Sequence, residues 1–203
     1  MKKLNWINIY RQNILQGNSF PWSEVITNIS QFKFKNKLHF LEIGCGTGSN
    51  GIFISKKHHY TGIDISKEII DVGKKKFNNF RKIKLIHSDI SNFEIKKKYD
   101  FLLDRFCLTH VDPTTAKNFI NKFENQNGKK YFLGFFFKKF NKNKYLILNS
   151  NSKVKVYTEY YDKNKVIKLF KKKIKILICK DVVIKENNRI NNTYLIFGCR
   201  IIK

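Results

Sequence analysis

The sequence predicts an α/β fold: a doubly wound, mostly parallel seven-stranded sheet with an antiparallel last strand. Three observations predict it. Short apolar, strand-like runs alternate with helix-period segments through most of the chain, the pattern of parallel strands joined by crossover helices. A glycine-rich turn, Gly44-x-Gly46-x-Gly48, separates the first strand from the helix after it. The last two strand-like runs are joined only by a short polar stretch, which can link antiparallel neighbours but not parallel ones.

Each element has a local cause. A helix is predicted over 4–16, with Leu4, Ile7, Ile14 and Leu15 toward one side. Residues 17–21 break it, and Ser23 is placed to cap a second helix running to Gln31. Residues 38–43 are an apolar strand, 49–57 a helix and 60–63 a strand. Ser66 caps the next helix, where Ile69, Gly73 and Phe77 recur every four residues. Strands follow at 83–86 and 99–103. Asp112 then Pro113 reads as N-cap and first helical residue, before the stripe Ala116, Phe119, Ile120, Phe123. Residues 130–137 form a strand. Asp162 caps a helix that turns Val166, Leu169 and Phe170 inward. Strands at 174–179 and 193–201 flank a polar hairpin loop at 186–192.

Length and composition narrow the class. The chain has 203 residues, 42% hydrophobic and 15% aromatic, enough for a full core and too rich in aromatics for disorder. One domain is expected over 1–203: an amino-terminal helical lid (1–32), a core (37–137), and a substrate-side insertion with a closing hairpin (138–203). The net charge is +26. Lys, Ile, Asn and Phe supply 36, 27, 23 and 19 residues, whereas Arg supplies five and Ala one, a bias toward AT-rich codons. That bias explains most of the charge without a nucleic-acid partner, and nucleic-acid sites favour the Arg that is scarce here. No apolar run has signal-peptide or membrane-span length. Cys45, Cys107, Cys179 and Cys199 lack paired CxxC spacing. The expectation is therefore a cytoplasmic protein with reduced thiols, no membrane span and no metal.

The chemistry is concentrated at strand ends. Leu41-Glu42-Ile43-Gly44-Cys45-Gly46-Thr47-Gly48-Ser49-Asn50-Gly51 is a strand, a turn and a helix start. Gly46-x-Gly48-x-x-Gly51 fits the dinucleotide pattern, and Glu42 with Gly44-x-Gly46-x-Gly48 fits the adenosylmethionine-binding one. The strand's last apolar residue is Ile43, which makes Gly44 the first turn glycine and favours the second reading. Asp64 ends the next strand twenty residues past Gly44, where a carboxylate can accept from both ribose hydroxyls. Asp89 follows the third strand, placed to accept from an adenine amino group with the Ile90 N–H beside the ring. Asp104 and Arg105 follow the fourth. Open α/β sheets bind ligands at these carboxyl ends.

LEIGCGTGSNG, GIDIS, HSDI and YDFLLDR, in that order, resemble the class I S-adenosylmethionine-dependent methyltransferases over about 38–137. Trp6-x-x-x-Tyr10 with Phe20-Pro21-Trp22 is similar to the amino-terminal segment of small-molecule methyltransferases of the thiopurine and tellurite-resistance type. So is the stretch Asp104-Arg105-Phe106-Cys107-Leu108-Thr109-His110, in which Phe106 replaces the usual glycine. The resemblance implies the Rossmann-like methyltransferase fold, with S-adenosylmethionine as cofactor. It implies that Gly44, Gly46 and Gly48 shape the turn at the cofactor's amino-acid end. Glu42 or Asp104 meets its ammonium, Asp64 and Ile65 its ribose, and Asp89 and Ile90 its adenine. Trp22 covers the cofactor as part of a lid. Arg105 binds the cofactor carboxylate or an anionic substrate. His110 is the candidate general base, beside Tyr10, Tyr160 and Tyr161 as candidate pocket walls. No Asn/Asp-Pro-Pro-aromatic tetrad follows the fourth strand, which disfavours methylation of adenine or cytosine amines.

The implied reaction is methyl transfer to an O, S or N nucleophile of a small molecule, accelerated mainly by positioning. Two alternatives stand beside it. An RNA methyltransferase would use the basic second half, where residues 113–203 carry 22 basic residues against five acidic. There Lys138, Lys139, Lys142, Lys144, Lys153 and Lys155 interleave with Phe140, Tyr145 and Tyr157. A non-catalytic binding module would keep the fold without the reaction.

Overall fold

The computed structural model describes residues 20–138, 145–147, 155–186 and 189–202. The expected helix at 4–16, with Trp6 and Tyr10, lies outside them, as do Lys139, Phe140, Lys142, Lys144 and Lys153. The chain divides into two compact units, residues 1–103 and 104–203.

The first unit contains α1 (Ser23–Ser30), β1 (His39–Ile43), α2 (Asn50–Ile54), β2 (His59–Asp64), α3 (Lys67–Lys76) and β3 (Ile83–His87). Strand β4 (Phe101–Arg105) crosses the boundary. The second unit contains a 3-10 turn (Leu108–His110), α4 (Pro113–Glu124), β5 (Lys130–Phe137), β6 (Tyr145–Ile147), β7 (Lys155–Tyr157), α5 (Lys163–Ile167), β8 (Ile174–Glu186) and β9 (Arg189–Ile201). Seven strands are hydrogen-bonded in the order β3-β2-β1-β4-β5-β9-β8, and β6 pairs with β7 apart from them. β1, β2 and β3 are parallel, and β9 runs antiparallel to both β5 and β8. The expected mostly parallel sheet with an antiparallel last strand is what forms.

Aromatic burial holds each unit. In the first, Phe40 stacks on Phe101 with centroids 4.4 Å apart, and Phe32 and Phe34 meet Phe101 edge-on. In the second, Phe119, Phe123, Phe132, Phe135, Phe136 and Phe197 are fully buried. Each such side chain contributes about 1.5–3 kcal/mol relative to exposure. The α4 stripe Ala116, Phe119, Ile120, Phe123 is buried as its spacing predicts.

Caps and lengths show where local signals hold. Asp112 and Asp162 accept from Thr115 and Lys165 N–H, and Ser66 accepts from Ile69 N–H, all as expected. Ser23 is not the cap of α1. Trp22 is the extended residue before the helix and makes no side-chain cap bond. Its N–H is held by Asn50 Oδ1 at 2.9 Å, which starts the helix at Ser23 itself. Helix α2 is shorter than its apolar run suggests, because Lys56 and Lys57 N–H reach back three residues rather than four and tighten the turn. β4 begins at Phe101, since Asp100 is engaged with His39 through both its N–H and its carboxylate. The closing strands run on to Glu186 and back from Arg189, so the polar stretch expected as a loop is mostly paired strand. The β6–β7 hairpin was not anticipated.

Candidate functional site

In the first unit the sheet register aligns three strand ends. Ile43 lies opposite Ile63, and Asp64 opposite His87. The glycine turn starts at this edge. Gly44, Gly46 and Gly48 have φ of +62°, +57° and +79°, the left-handed region that a side chain disfavours. A Cβ on Gly48 would also meet the Leu85 side chain. Gly73 of α3 plays a different part: a Cβ there would run into the Thr47 carbonyl, so glycine lets the helix close on the turn.

Two buried carboxylates hold the turn from either side. Glu42 is 1% exposed. Its Oε2 accepts from the Tyr60 hydroxyl at 2.5 Å and its Oε1 from Asn50 Nδ2 at 2.8 Å. Asn50 then accepts from Trp22 N–H, so one amide links the β1 carboxylate to the start of α1. Asp64 Oδ2 accepts from Gly46 N–H, and Oδ1 from Ser66 N–H, each at 2.9 Å. Burial raises the Asp64 pKa, while the N–H groups of Ser66, Gly46 and Ile65 pull it back down. The Ile65 carbonyl lies 3.1 Å from His87 Nε2. Asp89 is half-buried and accepts from Ser91 N–H at 2.9 Å, beside buried Ile90. Trp22 is half-buried.

The second unit opens with Asp104, fully buried, whose Oδ1 accepts from Leu108 N–H at 3.1 Å. Half-buried Arg105 follows. Phe106 then adopts φ +63°, which costs a side-chain-bearing residue roughly 1–2 kcal/mol. The position where glycine is usual thus keeps a glycine-like backbone. The ring offsets the strain by stacking on Phe137, centroids 4.3 Å apart and 13° between planes, and by meeting Tyr194 edge-on at 5.6 Å.

His110 ends the 3-10 turn. Its Nδ1 lies 2.9 Å from the Tyr157 carbonyl, so Nδ1 carries the proton and the lone pair is on Nε2. Its ring packs edge-on against Phe137 at 5.9 Å. Burial of the imidazole pushes its pKa down to about 4, against a weaker upward pull from the Tyr157 carbonyl. Tyr161 is 1% exposed, and its hydroxyl has no hydrogen-bond partner among the described residues. Burial first, then the charges of Glu159 and Asp104, push its pKa upward. Lys165 Nζ sits 4.9 Å over the Tyr161 ring and pairs with Glu159. Tyr160 is half-buried and Tyr10 lies outside the described residues.

The expected residues therefore fall into two sets. Glu42, the three glycines, Asp64, Ile65, Asp89, Ile90 and Trp22 belong to the first unit; Asp104, Arg105, His110 and Tyr161 belong to the second. Sequence reasoning missed Asn50 and Tyr60. A polar residue two places after the last turn glycine, and a tyrosine opening an apolar strand, were the signals available. Lys138, expected on a basic surface, pairs with Asp181 at 2.7 Å. Among the described residues no group of His, Cys, Asp and Glu is arranged to hold a metal. No helix among them is long and apolar enough to cross a membrane.

Residues 40–125 match the model of a family described as a methyltransferase domain. Over 83 residues the chain is 34% identical to malonyl-[acyl-carrier protein] O-methyltransferase of Priestia megaterium, covering 39% of this chain and 30% of that enzyme. The chain thus matches under a third of that relative's length. Its fold is shared by the 1,6-didemethyltoxoflavin-N1-methyltransferase of Burkholderia thailandensis, with TM-score 0.67, 13% identity, and coverage of 99% and 87% of the two chains. TehB of Haemophilus influenzae has it too, with TM-score 0.69, 15% identity, and coverage of 89% and 63%. With its glycine turn and its sheet order, the chain has the fold of these methyltransferases, and its residues 40–125 resemble a methyltransferase domain.

Proposed function

We propose that this chain transfers the methyl group of S-adenosylmethionine to an O, S or N nucleophile of a small molecule. One observation carries the reading: the buried Asp64 carboxylate is bonded to Gly46 N–H at the end of β2, beside a turn of three left-handed glycines. A carboxylate oxygen accepts more than one hydrogen bond, so each Asp64 oxygen keeps capacity for a ribose hydroxyl after its backbone bond. The crystal structure of the Burkholderia enzyme has 1,6-didemethyltoxoflavin and S-adenosylhomocysteine bound, which supports the substrate class.

The bound cofactor supplies an electrophilic methyl group, and the chain's residues do the rest by placement. Asp64 and Ile65 hold the ribose, Asp89 and Ile90 the adenine, and the glycine turn the amino-acid end. Glu42 or Asp104 takes the ammonium. Glu42, which also accepts from Tyr60 and Asn50, positions the turn and, through Asn50, Trp22, which covers the cofactor. Arg105 faces a carboxylate. Neutral His110 accepts a hydrogen bond from the acceptor's nucleophile at Nε2 and takes its proton after transfer. Tyr161 lines the acceptor side. Holding the nucleophile in line with the methyl carbon supplies much of the rate.

The organisation we propose is one catalytic domain over 1–203, with a lid in 1–32, the cofactor core in 37–137 and a substrate-side insertion beyond it. All four cysteines are free thiols, which supports a reducing, cytoplasmic setting. Isothermal calorimetry tests the reading. Saturable binding of S-adenosylmethionine and S-adenosylhomocysteine is expected, and folded protein that binds neither would overturn it.

A further inference from the structure

Phe106 is a bulky residue kept in a conformation that suits glycine. Among the described residues only it and Lys33 combine a side chain with positive φ. Strained backbone of this kind persists where function asks for it. The ring is no ordinary core ring. Phe137 and Tyr194 beneath it are 9% and 3% exposed, whereas Phe106 itself keeps part of its surface in solvent. It is therefore the outermost member of an aromatic stack. The Phe106 carbonyl accepts from the Thr109 hydroxyl at 2.6 Å, which pins the turn. His110 contacts the same Phe137 that Phe106 stacks on. A proton-accepting imidazole and a flat apolar ring thus share one support.

We propose that Phe106 is a specificity-determining residue, which stacks a flat, conjugated acceptor beside His110 so that the acceptor's O–H, S–H or N–H meets the imidazole. The proposal rests on the methyl-transfer reading. Ring faces prefer offset stacking on other rings, at contacts worth more than their buried area alone. A puckered aliphatic acceptor gains only the area. Leucine would fill similar volume without a π-face, and glycine would relieve the backbone while removing the ring.

The probes are 2-naphthol, 2-naphthalenethiol and 2-naphthylamine, with cyclohexanol as the non-planar control. Binding is read by calorimetry on the full chain, and turnover by release of S-adenosylhomocysteine. In Phe106→Gly the melting temperature is expected to stay within a few degrees of wild type, because the strain relieved and the stacking lost offset each other. The Kd for S-adenosylmethionine should stay within about twofold. The naphthyl Kd and KM should rise about three- to tenfold, the scale of one stacking contact. Phe106→Leu should lose naphthyl affinity likewise and Phe106→Tyr should keep it, so the pair reads the proposal even if the glycine variant folds poorly. Naphthyl affinity unchanged in Phe106→Gly or Phe106→Leu would overturn it. So would wild-type protein that binds cyclohexanol as tightly as 2-naphthol, or that binds no naphthyl probe. Wild-type protein that binds the rings but not the cofactor would leave the ring site standing and overturn the methyl-transfer reading.

Discussion

The Tyr60 hydroxyl donates to Glu42 Oε2 across 2.5 Å, inside a core where both residues are 1% exposed. Such a bond to a buried carboxylate is charge-assisted and contributes more than a neutral one. Asn50 supplies the second donor. Together they let a glutamate stand in an apolar strand directly before the glycine turn.

Replacing Tyr60 by Phe leaves Glu42 with one donor fewer. Loss of a bond to a buried charge costs about 1.5–3 kcal/mol. The variant should unfold at lower denaturant concentration by that amount. Cofactor affinity should fall only a few-fold, since Asn50 still holds the Glu42 carboxylate in place. Denaturant titration and calorimetry on the same sample check both halves. A stability equal to wild type would remove the bond from the account.

Asp64 gives a sharper contrast between variants. Asp64→Ala removes the acceptor of Gly46 N–H along with both proposed ribose bonds. S-adenosylmethionine affinity should drop about 10–100-fold, the scale of one to two hydrogen bonds to a charge. Asp64→Asn keeps one acceptor oxygen and should fall between. Unchanged affinity in Asp64→Ala would exclude Asp64 from the cofactor site.

The sheet and the glycine turn were legible because short-range chemistry decides them. Asp112-Pro113 specifies a helix start whatever surrounds it, and it sits where expected. The glycine spacing likewise fixes a turn. What was illegible depends on distant partners. Trp22 precedes α1 because Asn50, twenty-eight residues on, holds its N–H. Phe106 keeps a left-handed backbone because Phe137 and Tyr194 receive its ring. Neither fact is written in the neighbouring residues. The length of β8 and β9 was missed for the same reason, since pairing carries polar residues into strand.

His110 makes the pH dependence specific. Its folded pKa of about 4 lies below the ordinary 6.5, so the unfolded chain binds the proton first as pH falls. Its stabilising contribution is full above 6.5 and is lost as pH drops toward 4. The difference is of the order of 2 kcal/mol after allowing for the part of the residue that reaches solvent. His58 and His59 are lowered too and add to the same slope, while Asp64, raised by burial, opposes it. The comparison of wild type with His110→Gln isolates the residue: melting temperature should depend less steeply on pH between 4 and 6.5 in the variant. If His110 accepts the substrate proton, wild-type kcat/KM should keep its acid limb near pH 4, not near 6.5. An acid limb at 6.5 would show an imidazole titrating in solvent.

Tyr161 separates stability from function most cleanly. Its buried hydroxyl has no partner among the described residues, a cost of about 1–3 kcal/mol that packing alone does not require. Burial, and then the charges of Glu159 and Asp104, disfavour the phenolate, so the group stays protonated and can donate. A bound acceptor that receives this hydrogen bond would recover the cost. Tyr161→Phe keeps the ring against Phe136, 5.0 Å away, and deletes only the oxygen. The variant should therefore melt about 2–4 °C higher, from about 1 kcal/mol in a chain of this size. Its acceptor KM should rise about tenfold with kcat little changed, because binding energy is lost equally before and during transfer. Higher stability with an unchanged KM would make Tyr161 a packing residue whose hydroxyl is merely tolerated.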